Sequence, residues 1–452
     1  MGGSLAKRMD SISDHYVLLL LALALMGLTI VGVGDTPRVS MLGIVLCVAG
    51  IFQMPGRIDT RILFPMLLYL VVGAASSYGA IGNVTHTYTA THAIYPVLYF
   101  LMASLKKEEL RWLRWFTAVW AGYVAANGIV QFLMKAMNGT AGRLGGMMSN
   151  ANSMGIFLVV GWFGLMAWAP GPEEKGPIPA LLRRLEPLLL TALALTLSMG
   201  SFLALAVGMA VRAAGWVKES GWREAAWRSA RMLAKAALCV GAGILMYFTG
   251  RHTSAPLLCV GLVLWLVALM FLWEQFDRFL LAYRWFPWVM CAGGFAVALA
   301  AVAVRPSAAA TFLERLEMMR NGVGYLTADP LLGVGPYQWR ELNLADADTY
   351  FNTWHIHNVP LHIGVELGLL ALAAVVLIIL RTLLKKGRNV AGFAAFLLHN
   401  LMDTSFFYMG TTTSVLFTVG EPEKGGKQPN RILVRAFFAA FALVFVYFYC
   451  VH

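Results

Sequence analysis

From Tyr16 to the C-terminus, apolar runs long enough to cross a bilayer recur with short polar breaks between them. A helix spanning the hydrocarbon core needs roughly 20 apolar residues, so the pattern predicts spans near 16–34, 39–54, 61–82, 88–105, 112–135 and 148–169. Further spans are expected near 184–198, 200–217, 231–249, 255–274, 284–304 and 358–380, with apolar stretches at 389–403, 408–420 and 431–450. Because the runs are continuous rather than alternating, a closed barrel is excluded. The fold class expected is an all-α polytopic membrane protein with about 12–15 transmembrane helices and one long periplasmic loop. The chain divides on this reading into an N-terminal bundle (1–304), a loop carrying an amphipathic helix (305–356) and C-terminal transmembrane helices (357–452).

The loop is the only hydrophilic insertion large enough to hold structure of its own, and insertions of that size are usually functional or disordered. Within it, Phe312, Leu313, Leu316, Met318, Met319, Val323 and Leu326 are spaced as an amphipathic helix over 311–327, fit to lie along a membrane surface. Pro330, Gly333 and Gly335 then supply a turn.

Composition agrees with the pattern: 59% of the 452 residues are hydrophobic, 13% are charged, and the mean hydropathy is +0.69. The first run is followed at once by a second and has no small-residue cleavage site, so it reads as a retained span rather than a signal peptide. The net charge of +12 collects in alternate breaks, among them Lys7 and Arg8, Arg57 and Arg61, Lys106 to Arg111, Arg183 and Arg184, Lys218 to Arg231, Arg381 to Arg388 and Lys424 to Arg431. Those loops are placed in the cytoplasm by their positive charge, and the long loop falls outside. No basic domain remains to bind nucleic acid. The five cysteines lie in or beside apolar runs without CxxC spacing, so neither a disulfide framework nor a zinc site is indicated. Neither inverted repeats nor paired broken spans point to a secondary transporter.

The candidate chemistry lies on the outer side. Arg143 stands just before a span that opens with Asn150 and Asn152. One arginine at an interface is ordinarily a snorkelling anchor, and Arg315 and Arg320 on the loop helix could simply pair with Glu314 and Glu317. Several arginines converging would instead read as a diphosphate site, because a guanidinium fork donates parallel hydrogen bonds and stays charged. At the re-entry of the loop, His355, His357 and His362 fall within eight residues and offer a general base; no carboxylate or thiolate stands at metal-ligand spacing beside them. Glu366 within the following span, and Asp403 four residues past His399, are ionisable groups inside apolar stretches, which are expensive and by default functional. At i and i+4, His399 and Asp403 could face each other on one helical turn.

Several of these segments share one pattern. Arg315-Leu316-Glu317-Met318-Met319-Arg320, then Asp329-Pro330-Leu331-Leu332-Gly333-Val334-Gly335-Pro336, then His355-Ile356-His357-Asn358 opening a span with Gly364 to Leu370, resembles the O-antigen ligase and polymerase superfamily. The stretch from Arg143 to Asn152 resembles that family's upstream motif, and His399 with Asp403 looks like its late His/Asp pair. A departure is Met199, in a short outer loop where the family often has an arginine. The resemblance implies a membrane glycosyltransferase of the all-helical GT-C-like type in the bacterial inner membrane, its active site facing the periplasm and needing neither metal nor cofactor. It implies an undecaprenyl-diphosphate-linked glycan as donor, a sugar hydroxyl of the lipid A core as acceptor, and membrane lipids as surroundings. His357 and Arg315 would be catalytic; Arg143, Arg320, Arg340, Asn150, Asn152, His355, Asn358, Gly333, Gly335, His399 and Asp403 would bind substrate. The alternatives are an O-antigen polymerase, a protein O-oligosaccharyltransferase, or a transporter of lipid-linked sugar.

Overall fold

The structure, a computed structural model, describes residues 15–53, 56–171, 173–252, 256–303, 307–345, 351, 353–385, 387–420 and 428–452. Among them it is all-helical, with no strand. The helices are α1 (Tyr16–Val31), α2 (Thr36–Phe52), α3 (Thr60–Ile81), α4 (Tyr88–His92), α5 (Ile94–Ser104), α6 (Lys107–Met137) and α7 (Ala151–Trp168). They continue as α8 (Pro177–Arg184), α9 (Glu186–Thr196), α10 (Met199–Ser220), α11 (Trp222–His252), α12 (Pro256–Ala282), α13 (Phe286–Ala303) and α14 (Ser307–Ala328). The series ends with α15 (Gln338–Ala345), α16 (Val359–Leu384), α17 (Val390–Asn400), α18 (Met409–Val419) and α19 (Arg431–Val451).

Eight of these, α3, α6, α7, α10, α11, α12, α16 and α19, are long and apolar enough to cross a membrane, and α1, α2 and α17 are shorter apolar helices. The described residues thus hold fewer full-length spans than the pattern of runs suggests. The run at 88–105 is divided at Ala93 and the run at 184–198 at Leu185, while α9, α17 and α18 have only 11 residues each. Eleven helical residues extend about 17 Å, short of a roughly 30 Å core. Apolar composition registers burial, and burial inside protein and burial in lipid look alike in sequence. Arg305 at the start of the long loop, and the basic residues Lys7, Arg8, Lys386, Lys424 and Lys427, lie outside the described residues.

The chain packs as two compact units. The first comprises Met1–Phe116, Glu317–Gly387 and Phe406–His452. Lipid is as apolar as leucine, so helices in a membrane associate through close packing and polar clamps rather than through exclusion of water. Both devices are present. Gly43 and Gly50 of α2 seat the rings of Phe445 and Phe438 of α19 so closely that a Cβ at either position would collide with the ring. Elsewhere in this unit, Asp59 caps α3 through the Arg61 N–H at 3.1 Å and takes Arg381 Nε at 2.7 Å and Lys385 Nζ at 3.0 Å from the end of α16. Each charge sits at the helix end whose dipole favours it.

The second unit comprises Thr117–Leu316 and Arg388–Ser405. Gly208 of α10 accommodates the Phe163 ring of α7, and Gly243 of α11 lies against Thr191 and Ala194 of α9. A polar node ties α7, α9, α11 and α12: Glu186 accepts the indole N–H groups of Trp162 at 3.2 Å and Trp273 at 2.9 Å and pairs with Lys235, which also reaches Asp277 at 3.4 Å. The helical hairpin of α11 and α12 is therefore anchored by charge as well as by packing.

One expectation for the first unit changes materially. The span expected as continuous over 358–380 is interrupted, because Gly368 in α16 has φ 78° and ψ 174°. The carbonyls of Val365 and Glu366, released from the helical ladder, accept the N–H groups of Val334 and Gly335, both at 2.9 Å. In return the Leu369 N–H donates to the Pro330 carbonyl at 2.8 Å. The turn from Pro330 to Gly335 thus fills the gap in the helix, meeting the rule that backbone polar groups shielded from water find partners.

Candidate functional site

Most of the residues singled out from the sequence fall into two clusters, one in each unit. In the second unit the stretch before α7 is fastened to α9 by the Leu144 N–H, which donates to the Leu195 carbonyl at 3.0 Å. Gly146 and Ser149 turn the chain with φ 52° and 54°. Asn150 then caps α7, its Oδ1 accepting the N–H groups of Asn152 at 2.9 Å and Ser153 at 3.0 Å. This arrangement presents Arg143 and Asn152 on one side of the turn.

Arg143 donates from Nε to the Thr196 carbonyl at 2.9 Å and from Nη2 to Asn152 Oδ1 at 2.6 Å. The amide nitrogen of Asn152 donates in turn to Asp403 Oδ2 at 2.7 Å. The same carboxylate oxygen accepts Arg315 Nη2 at 3.3 Å, and Arg315 Nη1 donates to the Met402 carbonyl at 2.7 Å. Asp403 is nearly sequestered, at 3% side-chain exposure, whereas Arg315 keeps 21% and Arg143 is exposed. Two guanidinium groups are therefore held by one amide and one carboxylate, leaving a net charge of +1. Fixed planar forks of this kind suit phosphate oxygens.

His399 and Asp403 do not share one helix, as the i, i+4 spacing suggests. Helix α17 ends at Asn400, and Asp403 lies in the turn beyond it, where its Oδ1 accepts the Thr404 N–H at 2.8 Å. Fully buried, His399 instead contacts Ser201 Oγ at 3.3 Å and Ser405 Oγ at 3.0 Å. Ser201 Oγ also donates to the Asn152 carbonyl at 3.2 Å, so a serine links His399 to the cluster. Ser198, Ser201 and Ser405 carried no signal in the sequence, since isolated serines in apolar runs are common.

In the first unit, His355 and His362 are buried and pack edge to face with centroids 5.0 Å apart. His355 stacks on Phe407 at 4.4 Å. Burial, reinforced by His362, His357 and His92, holds the His355 imidazole well below its ordinary pKa, so it is neutral. Half-buried His357 follows Ile356, and its backbone N–H points at Met318 Sδ at 3.5 Å. Asn358 caps α16 by accepting the Leu361 N–H at 3.0 Å. Tyr337, whose φ is 63°, packs against Tyr88 and Trp354, and burial with Glu366 nearby pushes its phenol up to about 12.

Arg340 lies 3.7 Å over the ring of the exposed Trp354, a cation–π contact. Arg320 is exposed on α14 and is not drawn into either group by a hydrogen bond among the described residues. Gly333 and Gly335 sit in the docked turn with φ 69° and 102°; a Cβ on Gly333 would meet the backbone of Val365 to Gly368. Gly333 permits the close approach that closes the break in α16, whereas Gly335 permits the approach of the turn to Ala80 of α3. Among the described residues, no group of three or more His, Cys, Asp or Glu side chains is placed to hold a metal ion.

Neither a protein-family model nor a curated protein matches this chain.

Proposed function

We propose that the chain is a membrane glycosyltransferase that transfers a glycan from a polyprenyl diphosphate to a hydroxyl acceptor, as an O-antigen ligase does in completing lipopolysaccharide. The observation that supports this reading is the joining of Arg143 and Arg315 through Asn152 and Asp403, residues drawn from separate stretches of an apolar chain. A pair of arginine forks held on one buried carboxylate suits an anionic ligand, and a diphosphate on a lipid matches both its charge and its surroundings.

In the reaction, the acceptor oxygen attacks the anomeric carbon, the bond from that carbon to the phosphate oxygen breaks, and the configuration inverts. Arg143 and Arg315 stabilise the charge that grows on the departing diphosphate. His357 takes the proton from the acceptor hydroxyl. In the bacterial inner membrane this chemistry would face the periplasm, with the lipid A core as acceptor.

The test is transfer from undecaprenyl-diphosphate-linked O-antigen to core lipid A by the purified chain, followed by gel profile. A full ladder on the core supports ligation. Accumulated lipid-linked polymer, unchanged by the protein, would remove the reading.

A further inference from the structure

Glu366 is fully buried in α16, two residues before the break at Gly368, and its partners come from several segments. Its carbonyl accepts the Gly335 N–H at 2.9 Å and the Ser76 hydroxyl of α3 at 2.8 Å. Its Oε1 accepts the Trp339 backbone N–H at 3.3 Å, and its Oε2 lies 3.2 Å from Nε2 of His362, at ion-pair distance but outside hydrogen-bond geometry.

His362 is equally buried, and its Nδ1 accepts the Ile356 N–H at 3.4 Å. A backbone amide can only donate, so that nitrogen carries no hydrogen. In the neutral ring the hydrogen then sits on Nε2, the atom facing Glu366. The pair spans one turn of a single helix, so it ties no two helices together, and burying it without that gain is costly. What Glu366 adjoins is the ring of His362, which in turn accepts the N–H of Ile356, the residue before His357.

We propose that Glu366 and His362 form a positioning pair that sets the orientation of His357. The inference rests on the transfer reaction above, with His357 as its base. The Ile356 N–H sets the tautomer of His362, Glu366 stands beside the Nε2 that carries its hydrogen, and the short segment between Ile356 and the Asn358 cap presents the His357 imidazole. Neither member of the pair touches substrate. A misplaced base lowers turnover while leaving donor binding alone, because small displacements at the reacting centre cost up to about 100-fold.

The experiment measures steady-state transfer in nanodiscs, with an undecaprenyl-diphosphate-linked glycan as donor, alongside ¹⁵N-histidine NMR of the same samples. Glu366→Gln, which keeps the shape of the side chain, should lower kcat by about 30-fold with donor KM within about twofold. His362→Ala should do the same, and His362→Asn, whose Oδ1 can still accept the Ile356 N–H, should recover part of the loss. Ser76→Ala removes a different hydrogen bond to Glu366 and should leave kcat within about threefold. NMR should place the His362 hydrogen on Nε2 in the unmodified protein.

Unchanged kcat in Glu366→Gln, no difference between His362→Ala and His362→Asn, or a hydrogen on Nδ1 would overturn the pair. Should Glu366→Gln fail to fold, the comparison of the two His362 variants and the tautomer decide. Absence of transfer by the unmodified protein would overturn the reaction reading instead, and the NMR result would still judge the geometry of the pair.

Discussion

The side-chain amide of Asn152 donates to Asp403 across 251 positions of sequence, and on its other side the same amide accepts from Arg143. Replacing Asn152 with Ala removes both bonds, one of them to the carboxylate that also holds Arg315. Losing a partner to a buried charged group costs about 1.5–3 kcal/mol, so transfer should fall by roughly 10- to 100-fold. Steady-state kinetics checks this, with the loss expected in kcat/KM for the lipid-linked donor.

Arg315 donates from two nitrogens to two acceptors, Met402 and Asp403. A lysine offers a point charge in place of that fork. Arg315→Lys should therefore remain more than tenfold impaired in transfer, although the net charge of the site is unchanged. Near-normal transfer by this variant would show that charge alone suffices.

Gly368 adopts φ 78°, and a Cβ there would collide with the Leu331 backbone. Gly368→Ala combines backbone strain of about 1–3 kcal/mol at this positive φ with overpacking of about 1–3 kcal/mol. We expect poor yield or a melting temperature lowered by several degrees in detergent, measured by thermal unfolding of purified protein. Gly79→Ala, at a position with open space around it, is the control.

Stability should decline on acidification in two stages. Burial depresses the His355 pKa in the folded protein, so below about pH 6.5 the unfolded chain binds a proton that the folded chain does not, and stability falls as pH drops. At lower pH, Asp59 follows: burial alone would raise its carboxyl, but the hydrogen bonds and charge of Lys385 and the hydrogen bond from Arg381 outweigh that and hold it below the ordinary carboxylate range. Its contribution is fully present above about pH 4 and is lost as pH falls through the folded pKa. Asp59→Asn should flatten the second stage and His355→Phe the first, in unfolding midpoints followed from pH 8 to 3.

The histidine pattern shows where sequence reading succeeds and where it stops. His355, His357 and His362 were visible as a cluster because they are close in sequence, and the break in α16 was not, because the run around Gly368 is apolar on both sides. The i, i+4 rule selected His399 with Asp403, whose helix ends between them. Applied to His362 and Glu366, which share a turn of α16, the same spacing marks a real contact. Helix ends decide such cases, and the end of α17 depends on a turn whose side chains bond to distant segments.

By itself the sequence determined the helical, membrane-spanning character of this protein, since the length of an apolar run is a local property that the bilayer imposes. Local motifs also marked Arg143, Asn152, Arg315 and Asp403 as worth watching. Only the tertiary structure decided that these four share one hydrogen-bonded network, that the Pro330 to Gly335 turn completes a broken helix, and that several apolar runs are too short or divided to span. Each of those outcomes depends on which backbone and side-chain groups find partners far along the chain, and hydropathy, which sums residues one window at a time, carries no record of such pairings.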